Sequence, residues 1–199
     1  MMFIGNAIKM TLEDMGQLSE EFGIELPALR AVITVESAGS GFDSYGRPKA
    51  LFERHYFYKY VKANYDQTLL DEAVAKKLAY PKWGQLPYPK GSSAVYAEIE
   101  AAYEIAPREA FMSTSWGLGQ IMGGNYALAG CKSVEEMVDL AMDSEEAQLK
   151  QMLNFIKNTN LLNKLKAQDW AGFARGYNGP AYATNQYDTK LEAAYNRYT

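Results

Sequence analysis

Apolar positions recur at helical spacing through most of this chain, and strand-like alternation is confined to one short segment. Leu12, Met15, Leu18 and Phe22 share one face of a first helix, with Thr11 at its N-cap and Gly23 at its end. Leu26, Leu29, Val32, Ile33 and Val35 give a second, with Pro27 in its first turn and Gly39 and Gly41 breaking it. The short connection between the two predicts a helical hairpin. From Gly41 the pattern changes. Phe42 to Pro48 is rich in turn formers and Lys49 to Glu53 is extended, so a small β-hairpin is expected, with Leu51 and Glu53 on one face and Phe52 on the other.

Helical spacing then returns over 55–65 and over about 71–80. The Pro81–Gly91 run is too rich in proline and glycine for regular structure, and reads either as the border of a cleft or as a packed surface connection. Ser92 or Ser93 caps a helix carrying Val95, Ile99, Ala102, Tyr103 and Ala106, and Pro107 opens another through Met112. Ser133 with Glu136, and Asp143 with Glu146, have capping-box spacing ahead of two further helices. Asp169 caps a segment that stops at Tyr177-Asn178-Gly179-Pro180, and a last helix spans about 188–198. With no internal repeat and no linker, residues 1–199 read as one α+β domain, mainly α-helical, with a small sheet.

Composition narrows the function classes. A net charge of -4 argues against nucleic acid as the main partner. A single cysteine, Cys131, precludes an internal disulfide, and with one histidine the usual zinc sites are not expected. No metal or other cofactor is anticipated. The first six residues lack the basic start and apolar core of a signal peptide, and no run reaches membrane-spanning length.

The chemistry centres on Glu36. It stands in the last turn of an apolar helix, where the carbonyl end disfavours negative charge and apolar neighbours solvate it poorly. Both effects raise a carboxyl pKa and suit a general acid. A half-buried surface glutamate is the alternative reading of that residue alone.

Taken in order, Glu36-Ser37, then Gly117-Leu118-Gly119-Gln120, then Tyr177-Asn178-Gly179 resemble the motifs of the lysozyme-like superfamily, in particular goose-type lysozymes and soluble lytic transglycosylases. The Val35-Glu36-Ser37 run with Gly41-Phe42, the Gly46-Arg47-Pro48 turn before Leu51-Phe52-Glu53-Arg54-His55, the stretch 113–123 and Ala174 to Pro180 are similar to one branch, the phage N-acetylmuramidases of endolysins. Gly119 departs from that pattern, which usually has a bulkier apolar residue there. The resemblance implies a lysozyme-like fold and cleavage of the β-1,4 bond between N-acetylmuramic acid and N-acetylglucosamine in bacterial peptidoglycan, with Glu36 donating the proton. Glu53 is the first candidate for a second carboxylate, because the hairpin would bring it towards the cleft, with Asp43 as the competitor; their alternatives are a salt bridge, for example with Arg47 or Arg54, and a turn-forming aspartate. His55 is expected to orient Glu53 or cap the next helix. Ser113, Ser115, Gln120, Tyr177 and Asn178 are expected at the substrate, against capping roles for the serines and a helix stop for Tyr177 and Asn178. A hydrolytic endolysin, a lytic transglycosylase and a non-catalytic wall-binding module remain open at this level. The family further implies a monomer without stable membrane association, which accumulates in the host cytoplasm and reaches the wall after holin-mediated release.

Overall fold

The computed structural model describes residues 3–37 and 39–199. Met1 and Met2, part of the leader reading, and Ala38, inside the Glu36 run, lie outside the described residues. Helices α1 (Leu12–Phe22) and α2 (Leu26–Ser37) form the expected hairpin. Thr11 and Asp14 close a full capping box on α1: Thr11 Oγ1 accepts from the Asp14 N–H, and the Asp14 carboxylate accepts from the Thr11 N–H.

The extended segment forms strand β1 (Ala50–Phe52), followed by α3 (Arg54–Asn64) and α4 (Gln67–Ala75). Helix α4 begins before the expected start because Asp66 caps it, accepting from the Leu69 N–H at 3.0 Å, and it stops where Lys77 turns to φ 62°. Helices α5 (Ser92–Ile105) and α6 (Pro107–Met112) follow the loop. Neither Ser92 nor Ser93 caps α5; Gly91 occupies the N-cap and the Ser92 hydroxyl turns to Asp43 instead.

The predicted β-hairpin is corrected. Its two arms meet only through a Phe42–Pro48 bridge. Strand β1 finds its partner 64 residues on, pairing antiparallel with β2 (Thr114–Trp116) through Ala50–Trp116, Leu51–Ser115 and Phe52–Thr114. Strand β2 in turn pairs with β3 (Ile121–Met122), giving a sheet in the order β1-β2-β3. Sequence reading found no strand in 113–123 because two- and three-residue strands with buried serine and threonine show no usable alternation.

The second half is helical: α7 (Val134–Asp143), α8 (Glu145–Asn158), α9 (Leu162–Lys166), α10 (Trp170–Tyr177) and α11 (Tyr187–Tyr198). Ser144 rather than Asp143 caps α8, through the Ala147 N–H. The core has two centres. One gathers Phe52, Phe57, Tyr96, Ile99 and Trp116 around the sheet and α3–α7. The other gathers Leu29, Val32, Leu149, Met152, Ile156 and Phe173 from α2, α8 and α10. Tyr177 packs against both. Helix α2 therefore presents Glu36 from one half while the sheet strands belong to the other, and Leu118 of the β2–β3 turn packs into the core of α2.

Candidate active site

Three segments converge at the end of α2. Glu36 is largely buried; Asn178 Nδ2 donates to its Oε2 at 3.0 Å, and its Oε1 is buried without a hydrogen-bond partner among the described residues. Burial raises the Glu36 carboxyl to about 6, and the Asn178 bond works against that rise. The acid is thus poised to hold and release a proton near neutrality. Tyr177 stacks on Phe173 at 5.5 Å, meets Phe155 edge-on, and donates from its hydroxyl to the Gly119 carbonyl at 2.8 Å. Burial and the neighbouring Glu36 push its phenol well up, so it stays a donor.

Gly119 is required where it stands. A methyl group there meets Met152 Cγ at 2.8 Å and Cβ at 2.9 Å, so the absent side chain lets this turn lie directly on α8. The departure from the family pattern therefore sets this turn close against α8.

Two residues that sequence reading passed over organise this corner. Lys49 donates from Nζ to the Ser37 carbonyl at 3.0 Å, placing a cation at the carbonyl end of α2. Its backbone N–H reaches Gly41 O at 2.8 Å, and its carbonyl accepts from Gly117 N at 2.7 Å and Gln120 Nε2 at 3.1 Å. Glu145 is buried, and its carboxylate accepts from Gly41 N (2.8 Å), Ser40 Oγ (3.2 Å), Lys9 Nζ (2.9 Å) and Met10 N (3.1 Å). Burial alone raises such a carboxyl, but these bonds outweigh it and hold Glu145 below the usual range. One turn on, Gln148 accepts from Leu118 N at 2.8 Å and fills the space a side chain at Gly117 needs. In sequence, Glu145 reads only as an acidic residue in a first helical turn, which hides its role.

The remaining expected site residues part ways. An open groove of about 430 Å³ is lined by Asp43, Lys49, Leu51, Ser92, Val95 and Gln120 among others. Gln120, held at φ 47°, borders it with Nε2 bonded to Lys49 O and Gly117 O. Asp43 is bound by Arg47 as an ion pair at 2.8 Å and by the N–H groups of Tyr45 and Arg47, with Ser92 as a further donor. Burial pulls its carboxyl up, yet these bonds leave it below its ordinary value. The turn-forming reading describes it. Glu53 accepts from Tyr88 OH at 2.7 Å and lies 3.3 Å from His55 Nδ1. No hydrogen bond or ion pair among the described residues links Glu53 or Asp43 to Glu36. The expected salt bridge of Glu53 with Arg47 or Arg54 is not the one formed; Arg54 pairs with Glu98. Ser113 is fully buried, and Ser115 is buried with its hydroxyl on Met122 Sδ. Strand pairing sets Ser115 opposite Leu51, on the sheet face of that groove-lining residue.

A largely buried glutamate at a helix end, bonded by Asn178, with Tyr177 tying the adjacent helix to the turn of a small sheet, defines a lysozyme-like site. A family model described as Muramidase, N-acetylmuramidase, matches residues 25–199, and the chain belongs to that family. It is a glycoside hydrolase. The fold is similar to the crystal structure of the Burkholderia AP3 phage endolysin, at 38% identity and a TM-score of 0.86, over 96% of this chain and 71% of that one. No curated protein matches the chain.

The raised value of Glu36 gives a pH prediction. Activity falls on the alkaline side with a midpoint near 6, as the donor loses its proton. Asn178→Ala removes the bond that favours the carboxylate, so that limb moves to higher pH. A kcat/KM profile whose limb stays put in the variant shows that Asn178 does not tune the acid.

Proposed function

We propose that this protein is a phage endolysin that hydrolyses the β-1,4 bond between N-acetylmuramic acid and N-acetylglucosamine in bacterial peptidoglycan, with Glu36 as proton donor. The observation that carries this is a carboxyl raised to about 6 by burial, with one oxygen free of protein partners, in a chain of the N-acetylmuramidase family. The glycosidic oxygen leaves only once protonated, and Glu36 Oε1 supplies that proton. Glu36 then acts as the base towards water or leaves the positive charge to an internal nucleophile of the sugar. Asp43 and Glu53 stand outside this step. Asp43 is spent on its own turn. Glu53 accepts from Tyr88 OH and lies beside His55, and no hydrogen bond or ion pair among the described residues joins it to Glu36. Gln120 is assigned to the sugar in the groove, Asn178 to the acid, and Tyr177 to the roof that fixes the Gly119 turn.

Residues 1–199 act as one catalytic unit, since Lys9 and Met10 outside the family match bind Glu145 inside it. The enzyme works as a monomer on the glycan strand at the cell wall, released there through a holin-made opening. Among the described residues no helix is long and apolar enough to cross a membrane. Mass spectrometry of digested peptidoglycan tests the reaction: reducing muramic acid ends are expected, and 1,6-anhydro ends would reassign it as a lytic transglycosylase.

A further inference from the structure

The Pro81–Gly91 loop carries the most exposed large apolar side chain of the described residues, Trp83, at 70%. An exposed indole on a proline- and glycine-rich loop is ordinarily free to turn. This one is fixed. Its Nε1 donates to Tyr88 OH at 3.0 Å, and Tyr88 OH donates to Glu53 Oε2 at 2.7 Å. The loop beneath is stapled as well: the Arg54 guanidinium donates to Leu86 O at 3.4 Å and Pro87 O at 3.2 Å while paired with Glu98. Tyr88 remains protonated at any working pH, its phenol pushed up to about 12 by burial and by Glu53.

The placement is informative. Leu51 lines the groove, and Glu53, two residues on, shares its face of the extended segment. At its other end the loop runs into Gly91 and Ser92, which also line the groove. Glu53, Tyr88 and Trp83 line a hollow of their own, joined to the groove along the chain through Leu51 on one side and through Gly91 and Ser92 on the other. An indole that is 70% exposed, with its N–H already satisfied, offers a stacking surface to a ring with apolar C–H groups.

We propose that Trp83 is a distal pyranose-binding platform of the groove, and that Glu53 and Tyr88 are positioning residues which orient its ring. The inference deepens the muramidase reading and rests on it for the identity of the sugar. It also gives a task to Glu53, whose carboxylate is bonded by Tyr88.

The test uses soluble uncross-linked glycan strands and a short glycan that spans only the cleavage point. Trp83→Ala is expected to raise KM for the long strands roughly tenfold, with kcat and turnover of the short glycan unchanged, and Trp83→Phe to recover most of the loss. Glu53→Gln and Tyr88→Phe give smaller rises in the same KM. Trp116 and Trp170 are buried and emit as a background, so the part of an emission change that Trp83→Ala abolishes reports Trp83; titrating long strands into the Glu36→Gln protein shifts it, and short ones do not. Equal KM values in wild type and Trp83→Ala, or emission that ignores long strands, overturns the platform. Absence of cleavage by the wild type with an intact emission shift instead refutes the muramidase reading and leaves the platform standing.

Discussion

Glu36→Gln is expected to lower kcat by about 10³-fold or more while leaving a folded, substrate-binding protein. The amide keeps the size of the side chain and its partner Asn178 but has no proton of suitable acidity to give. The same change should stabilise the fold at neutral and alkaline pH. The folded carboxyl sits near 6 against an ordinary 4.5, so the folded state disfavours the ionised form. Below about pH 4.5 Glu36 is protonated in both folded and unfolded chains and costs nothing. As pH rises through 6 the penalty develops, reaching roughly 2 kcal/mol, an upper figure for a group with some solvent access. Thermal melts at pH 8 should therefore place the variant ~6 °C above the wild type, with the gap closing by pH 4. A variant that is inactive but no more stable would mean that Glu36 is better solvated than its buried, unpartnered Oε1 implies. A variant that still clears cell walls removes Glu36 from the reaction.

Glu145 should show the opposite behaviour. Truncation to alanine leaves the buried N–H of Gly41 and the N–H of Met10 without acceptors and strands Lys9 and Ser40. Losing these bonds should cost about 3 kcal/mol, or ~10 °C in melting temperature for a chain of this size. Because its folded pKa is lowered, the stability Glu145 lends is present above the ordinary glutamate range and is lost as pH falls through the depressed folded value. Glu145→Gln keeps the shape and should lose only the charge-dependent part, so wild type and variant converge in acid. Both changes loosen the Ser40–Gly41 segment that follows the acid, and a fall in kcat with a shift in the alkaline limb is expected alongside the melting data. If melting falls while that limb and kcat are untouched, Glu145 holds the N-terminal segment and does not position the acid.

The two glutamates show what could and could not be read ahead of the structure. Glu36 was legible because much of its environment is local, an apolar helical stripe before it and glycines after it, although its bond to Asn178 comes from 142 residues on. Glu145 was not, because its partners lie 104 to 136 residues away. Asp43 and Glu53 divide in the same manner. A turn aspartate is a four-residue matter, and that reading of Asp43 describes it. The direction in which Glu53 points was set by a tyrosine 35 residues on, in a loop with no regular pattern.

By itself the sequence determined the helices with clear apolar stripes, the caps at Thr11, Ser133 and Asp169, the extended segment that becomes β1 and the glutamate at the end of α2. All of these rest on interactions within a few residues, where side-chain spacing and backbone preference act directly. The pairing of β1 with β2, the burial of Ser113 and Ser115, the need for glycine at 119 and the bond of Glu53 to Tyr88 were decided by tertiary structure. Each depends on which distant surface arrives opposite, and packing against that surface, not local propensity, sets the outcome.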